Sequence, residues 1–353
     1  MGVFDTIGSE THQSVHFGAD PESGLRSIVA IHSTVLGPSL GGARFYPYAS
    51  EEDALIDVLR LAKSMTYKAA CAGLAQGGGK AVIIGNPATD RSDALLRAFG
   101  RFVEGLDGQY ITAEDVGTTV PDMEIVASQT KYVSGLGTEH GGSGDPSPAT
   151  ARGVIAAHKA VANMLWGHQN LAGRRVAIKG VGKVGMSLAE RLSSLGAEIV
   201  VADIDERATD NAATRYGAKV VDVDDIHKIA CDIFAPCALG GDISEKTIPE
   251  LSCTAIAGSA NNQLVDDHGG DLLKSAGILY APDYVVNAGG IINIAAERGG
   301  YTIDRAAEMI DAIYDNLTEI LKMADRLGIG THVAAAHVAE ERISAATLEE
   351  AGT

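Results

Sequence analysis

Aromatic residues are scarce: Phe, Trp and Tyr make up 5% of the chain, with one tryptophan. Set against 42 glycines, that balance suits an α/β chain with many tight βα turns. The four cysteines, Cys71, Cys231, Cys237 and Cys253, form no C-x-x-C pair, so they read as reduced cytosolic thiols rather than a disulfide framework. The amino end has no basic segment leading into an apolar core, so no secretory signal is expected and the location is read as cytoplasmic. No window of eighteen uninterrupted apolar residues exists, so nothing is expected to span a bilayer. Positive charge is also short: the formal net charge is -18, which argues against nucleic acid or an anionic membrane as partner. Ten histidines contain one close pair, His12 and His16. Its extended context puts the two rings roughly 13 Å apart along a strand, so no metal is expected.

What is present is enough chain, 353 residues at 46% hydrophobic, for two ordinary domains. Ser64-Met65-Thr66-Tyr67-Lys68 and Gly77-Gly78-Gly79-Lys80 put two lysines around a segment of small residues. The glycines allow close backbone approach, and Lys80 leads into the β-branched run Ala81 to Ile84. A lysine at the mouth of such a strand, near a second cation, is expected to have its charged form disfavoured and to serve as a base. The plain alternative is two solvated surface lysines. Leu36 to Phe45, holding Pro38-Ser39-Leu40-Gly41-Gly42, reads as a turn that offers bare N–H groups to an anion or merely bends the chain. Glu114-Asp115 follows the strand Tyr110 to Ala113, where α/β sheets collect chemistry, although a turn carboxylate before Gly117 fits the same residues.

Strands are expected over Gln13 to Phe17 and Leu25 to His32, and helices from Ser50 and over Ser92 to Val103. Gly and Pro crowd residues 132–148 and mark a hinge, after which Ser147 as N-cap and Pro148 start a helix to Leu165. The strand Arg175 to Lys179 then meets Gly180-Val181-Gly182-Lys183-Val184-Gly185, an amphipathic helix, and the strand Glu198 to Ala202 ending in Asp203. This is the dinucleotide fingerprint in its required context. Gly180 makes the tight turn, Gly182 admits the pyrophosphate and Gly185 lets the helix pack on the sheet. Asp203 should accept from the ribose hydroxyls and repel a 2′-phosphate, favouring NAD over NADP. Later loops begin where strands should stop: Pro236-Cys237-Ala238, Gly258 to Gln263 with Ala260, Asn261 and Asn262, and Asn287-Ala288-Gly289-Gly290. Helical spacing over Arg305 to Arg326 and Val333 to Leu348, with no strand left to pair, suggests helices crossing back over the first domain.

These segments together resemble the glutamate/leucine/phenylalanine/valine dehydrogenase family, specifically its branched-chain members, from about residue 25 to 345. The most specific pieces are Leu36 to Gly42, Met65 to Lys68, Gly77 to Lys80, Ala113 to Thr118 and Ala281 to Gly290. The resemblance implies an α/β fold of two domains with a deep cleft between them. Residues 1–135 would form a substrate-binding and oligomerisation domain, completed by a helix over 330–353, and residues 145–329 a doubly wound Rossmann-type NAD domain. It implies reversible oxidative deamination of an L-amino acid to its 2-oxo acid with release of ammonium, and a homo-oligomer. By resemblance Lys68 holds the substrate carboxylate, Lys80 is the catalytic base and Asp115 shuttles protons to the amine, next to Glu114. The Gly42 backbone approaches the substrate oxygen, Asn261 or Asn262 fixes the carboxylate end and the nicotinamide side, and Thr150 touches the carboxamide. Pocket positions Leu40, Ala113, Ile291 and Ile294 are apolar, which disfavours glutamate and aspartate and favours aliphatic substrates. Phenylalanine is the nearest competitor. Rival readings are an NAD-linked hydroxy-acid or shikimate-like dehydrogenase with a lysine–aspartate pair, and a non-catalytic NAD-sensing module.

Overall fold

Two sheets organise the chain. The computed structural model describes residues 12–298 and 300–351. The first sheet holds β1 (Ser14–Asp20), β2 (Leu25–Ser33), β3 (Ser39–Tyr46), β4 (Gly77–Ile84) and β5 (Tyr110–Glu114) in the order β1-β2-β4-β3-β5. β1, β2 and β4 pair antiparallel, whereas β3 runs parallel to both β4 and β5. Between β3 and β4 lies α1 (Glu51–Cys71), started by Ser50, whose side chain accepts the Asp53 N–H at 3.0 Å, with Glu51, Glu52 and Asp53 in its first turn. Its buried stripe of Ala54, Leu55, Val58, Leu59 and Ala62 packs with Ile28, Ala30 and Val82 on one sheet face. α2 (Asp93–Glu104) and α3 (Val120–Ala127) cover the other face, where Val29, Ala43, Phe45, Ala81 and Ile83 meet Leu96, Phe99 and Met123. The two faces follow from strand alternation, so Lys80 shares the α1 face with Val82.

Two expectations change here. Residues 36–45 are a turn only as far as Pro38; β3 begins at Ser39 and carries Gly41 and Gly42 inside the sheet. Lys80 does not stand at a strand mouth, because β4 starts at Gly77 and all three glycines lie in it. The cause is crowding: a Cβ on Gly78 would strike the Thr66 backbone of α1, and one on Gly79 would sit 2.8 Å from Ser39 Oγ. Glycine therefore lets helix and strand close together where strand propensity alone would forbid it.

The second sheet is all parallel: β6 (Arg175–Lys179), β7 (Glu198–Ala202), β8 (Lys219–Val220), β9 (Cys231–Pro236), β10 (Cys253–Ile256) and β11 (Leu279–Tyr280) in the order β8-β7-β6-β9-β10-β11. That is the dinucleotide-fold order, with its reversal between β6 and β9. α4 (Ser147–Trp166), α5 (Lys183–Ser194), α6 (Glu206–Tyr216), α7 (Asp267–Ser275), α8 (Asp283–Val286) and α9 (Gly289–Ala295) accompany it. The first residue of α4 is Ser147, with Pro146 at the cap and no side-chain cap bond, so Ser147 is not the N-cap the sequence suggested.

The chain divides into two units: residues through Asp145 with Ile294–Tyr301 and those from Ala339 onward, and Pro146–Asn293 with Thr302–Val338. The carboxyl-terminal helices α10 (Ile303–Asp311) and α11 (Ile313–Leu327) do not cross to the first unit as expected. They pack on α4, where Arg152 grips Asp311 through two 2.7 Å bonds. α12 (Thr331–Ala351) is shared rather than wholly in the first unit, since Thr331 Oγ1 donates to the Tyr280 carbonyl at 2.5 Å. Residues 294–301 join the first unit instead, because Glu297 accepts the Gly135 and Ser143 N–H groups at 3.1 and 2.7 Å. Among the described residues no helix is long and apolar enough to cross a membrane.

Candidate active site

In the first unit, register sets the geometry. Leu40 pairs with Gly78 and Ala43 with Ala81, which sets Gly42 beside Lys80 on β4, and Gly42 pairs with Ala113 on β5. Lys80 is 5% exposed, and its Nζ lies 2.9 Å from Asp115 Oδ2. Asp115 follows β5; its backbone N–H donates to Thr118 Oγ1 at 2.8 Å, and that hydroxyl donates to the Ala43 carbonyl at 2.9 Å. The loop after β5 is thereby tied to β3. A Cβ on Gly42 would come within 2.5 Å of the Glu114 carbonyl and 2.8 Å of Asp115 Cβ, so only glycine lets the carboxylate in.

Asp115 has a second cation that sequence reasoning missed. Arg44 Nε donates to Asp115 Oδ2 at 3.2 Å while its Nη1 donates to Asp57 Oδ2 at 2.9 Å, and Tyr48 Oη donates to the same Asp57 oxygen at 2.6 Å. Burial pushes the Asp115 carboxyl up, but the charges and hydrogen bonds of Lys80 and Arg44 outweigh it and hold the group below its ordinary value. Burial and the bond to Asp57 push the Tyr48 phenol well up, so it remains a donor.

Lys68 lies in the last turn of α1, half-buried, and Glu114 ends β5 opposite Ala43. Leu40 and Ala113 are buried in β3 and β5. A Cβ on Gly135 would lie 3.7 Å from Ile294 Cδ1 and 3.9 Å from Ala113 Cβ, so those two pocket positions flank Gly135, which the sequence did not single out. Ile291, buried in α9, belongs to the second unit.

In the second unit the glycine turn sits at the end of β6. Gly180 has φ +95, and a Cβ on it would meet Ala238 within 2.8 Å; a Cβ on Gly185 would strike the Gly180 carbonyl. The third glycine thus seats α5 on the turn itself. Gly182, by contrast, faces open space and caps α5 without a side chain, a helix start of the kind that suits phosphate. Asp203, after β7, accepts the Val181 N–H at 2.7 Å and the Asp205 N–H at 2.9 Å. Cys237 follows β9, its N–H bonded to the Lys179 carbonyl at 2.7 Å, and burial pushes its thiol up.

The loop after β10 is held by a residue the sequence gave no role. Gln263, fully buried, donates to the Gly258 and Ala260 carbonyls at 2.8 and 3.0 Å, and Asn262 takes φ +52. Asn287 donates to Asn261 Oδ1 at 2.7 Å and to the Ser259 carbonyl at 3.2 Å, while its buried Oδ1 has no partner among the described residues. Thr150, on the first turn of α4, donates to the Pro146 carbonyl at 3.0 Å and stands against Gly290. An open glycine turn at a helix start, a carboxylate just past the following strand and an unsatisfied amide oxygen fit a nicotinamide dinucleotide.

Residues 10–132 match the family described as Glu/Leu/Phe/Val dehydrogenase, dimerisation domain, and residues 201–350 match Glutamate/Leucine/Phenylalanine/Valine dehydrogenase. Residues 148–242 also match the D-isomer specific 2-hydroxyacid dehydrogenase, NAD binding domain. The chain is 52% identical to a leucine dehydrogenase of Geobacillus stearothermophilus, covering 97% of this chain and 94% of the relative. It is 47% identical to a phenylalanine dehydrogenase of Thermoactinomyces intermedius over 98% and 95% of the two chains. A crystal structure of L-tryptophan dehydrogenase from Nostoc punctiforme superposes with a TM-score of 0.87 at 42% identity, covering 98% of this chain and 99% of that one. Matched across both units and nearly end to end, this chain belongs to the glutamate/leucine/phenylalanine/valine dehydrogenase family.

Proposed function

We propose that the chain catalyses NAD-dependent, reversible oxidative deamination of an aliphatic L-amino acid to its 2-oxo acid and ammonium. The observation that carries this reading is the 2.9 Å Lys80–Asp115 pair beside Gly42. An amino acid zwitterion needs a cation for its carboxylate and an acidic partner for its amine, and Lys68 and Asp115 supply those charges. NAD, when bound, supplies the acceptor for the hydride of Cα. Lys80 as free amine takes a proton from the water that attacks the resulting iminium carbon, and Asp115 carries protons to and from the nitrogen. In amination the Lys80 ammonium polarises the oxo group. Such acid–base assistance is worth about 10²–10⁴-fold.

Leu40, Ala113 and Ile294 offer no partner for a second substrate charge, and desolvating one costs several kcal/mol, so glutamate and aspartate are rejected. Asp203 follows β7 where the acidic residue of the dinucleotide fingerprint stands, and accepting from the ribose hydroxyls while repelling a 2′-phosphate would favour NAD. The protein is proposed to act in the cytoplasm as a homo-oligomer assembled through its first unit, measurable by light scattering.

A panel of leucine, valine, isoleucine, phenylalanine, tryptophan and glutamate, each with NAD and with NADP, tests the proposal. Aliphatic substrates with NAD should be fastest; a higher rate with phenylalanine or with NADP would overturn that part. NADH oxidation by oxo acid that persists without ammonium would refute deamination itself and favour a hydroxy-acid enzyme.

A further inference from the structure

Arg44 is a cation with two carboxylates. It projects from β3 on the same sheet face as Gly42 and Lys80, since its neighbours Ala43 and Phe45 fill the opposite core. Its far end is fixed: Asp57 takes Arg44 Nη1 at 2.9 Å, Tyr48 Oη at 2.6 Å and, on its other oxygen, Arg60 Nη2 at 3.3 Å. With that end immobilised, the guanidinium plane presents Nε to Asp115 Oδ2, the oxygen that also receives Lys80. Arg44 Nε and Lys80 Nζ thus meet on the same oxygen of Asp115, Oδ2.

We infer that Arg44 is a positioning residue for the reaction: it pins one oxygen of Asp115 against Lys80 and so leaves the other oxygen for the substrate amine. This inference rests on the roles proposed above for Lys80 and Asp115. A lysine in place of Arg44 reaches one carboxylate but not both, because an ammonium is a point donor whereas the guanidinium fork spans two. Among the described residues, the charged and titratable groups around Asp115 include Lys80 from β4, Arg44 from β3 with Asp57 and Tyr48 behind it, Tyr110 of β5 and the adjacent Glu114. Of these, only Lys80 and Arg44 are cations in contact with its carboxylate, so loss of Arg44 removes one of the two charges that keep it ionised.

The test is the pH profile of kcat for wild type, Arg44→Met, Arg44→Lys and Tyr48→Phe, with NADH affinity read by fluorescence and folding by circular dichroism. Arg44→Met should lower kcat about 10²-fold, as expected for a misplaced catalytic group, and should move the acidic limb up by about one pH unit or more. Arg44→Lys should keep the limb near wild type while recovering part of kcat, Tyr48→Phe should lose only a few-fold, and NADH affinity should hold in all. An unmoved acidic limb in a folded Arg44→Met, or a loss confined to the amino acid KM, would overturn the inference. If Arg44→Met fails to fold, Arg44→Lys decides: wild-type kcat there overturns it, and a reduced kcat with an unmoved limb supports it. Lys80→Ala separates the two levels, because unchanged kcat in that variant defeats the underlying assignment whatever the Arg44 variants do.

Discussion

His158 gives a prediction whose size can be worked from the structure. It is fully buried in α4, and its Nε2 bonds the Ala257 carbonyl at 2.8 Å, so that nitrogen carries the proton and the ring is neutral. Burial lowers its pKa from 6.5 to about 4, opposed only by that bond. The sign follows from linkage: between about pH 6.5 and 4 the unfolded chain binds a proton that the folded chain refuses. Stability is thus full above pH 6.5, falls as the pH drops through this window, and levels off near 4. At about 1.36 kcal/mol per pH unit, the loss over the window is about 3 kcal/mol. A unit of this size normally has only about 5–15 kcal/mol in hand, so the effect is large. Trp166, the single tryptophan, ends the same helix and reports its unfolding. Urea melts followed by its fluorescence at several pH values between 7.5 and 4.5 should show wild type losing stability toward acid. His158→Gln should start lower by about 1 kcal/mol for the altered hydrogen bond, yet fall less steeply. Parallel curves for the two proteins would refute the reasoning.

Three further outcomes are expected. Lys80→Ala should reduce kcat by about 10²–10⁴-fold while NADH binding, read by fluorescence enhancement, stays intact; unchanged turnover would refute the base assignment. Gly42→Ala must displace Asp115 or the Glu114 carbonyl, which lie 2.8 and 2.5 Å from the added carbon, and should cost about 10²-fold in kcat without altering the Trp166 melt of the second unit. Asp203→Ser should raise the NADP/NAD ratio of kcat/KM by about tenfold or more, and an unmoved ratio would show that the 2′-position is sensed elsewhere.

The nucleotide-binding unit was the more legible half. β6 and β7 are short, continuous apolar runs separated by a glycine turn, and a parallel buried strand leaves that signature locally. β3 and β4 were harder because their glycines read as loop, and only the pressed-in Thr66 and Asp115 explain why a strand tolerates them. Arg44 left no local trace: its partners lie 13 and 71 positions away, so its role exists only once the sheet is formed. α3 did carry a signal, the Thr119–Asp122 capping box with Pro121, that could have been read from sequence. The placement of α10 and α11 depended on which helix face was apolar toward α4, a choice that periodicity alone leaves open.

The two units prepare their chemistry in opposite ways. In the first, the charges are already matched: Lys80, Asp115, Arg44 and Asp57 compensate one another, and Tyr48 donates into the group. Little reorganisation is then left for the moment of reaction, which is the condition under which fixed charges stabilise a transition state best. In the second, polar capacity is held open: the Asn287 Oδ1 is buried without a partner, and the α5 helix begins at a glycine with no side-chain cap. An unsatisfied buried amide oxygen costs about 1–3 kcal/mol in the free protein, a cost that a dinucleotide amide would relieve on binding. On the proposed reading, affinity for the cofactor would be built from groups the protein leaves unfinished, and catalysis from groups it has already completed.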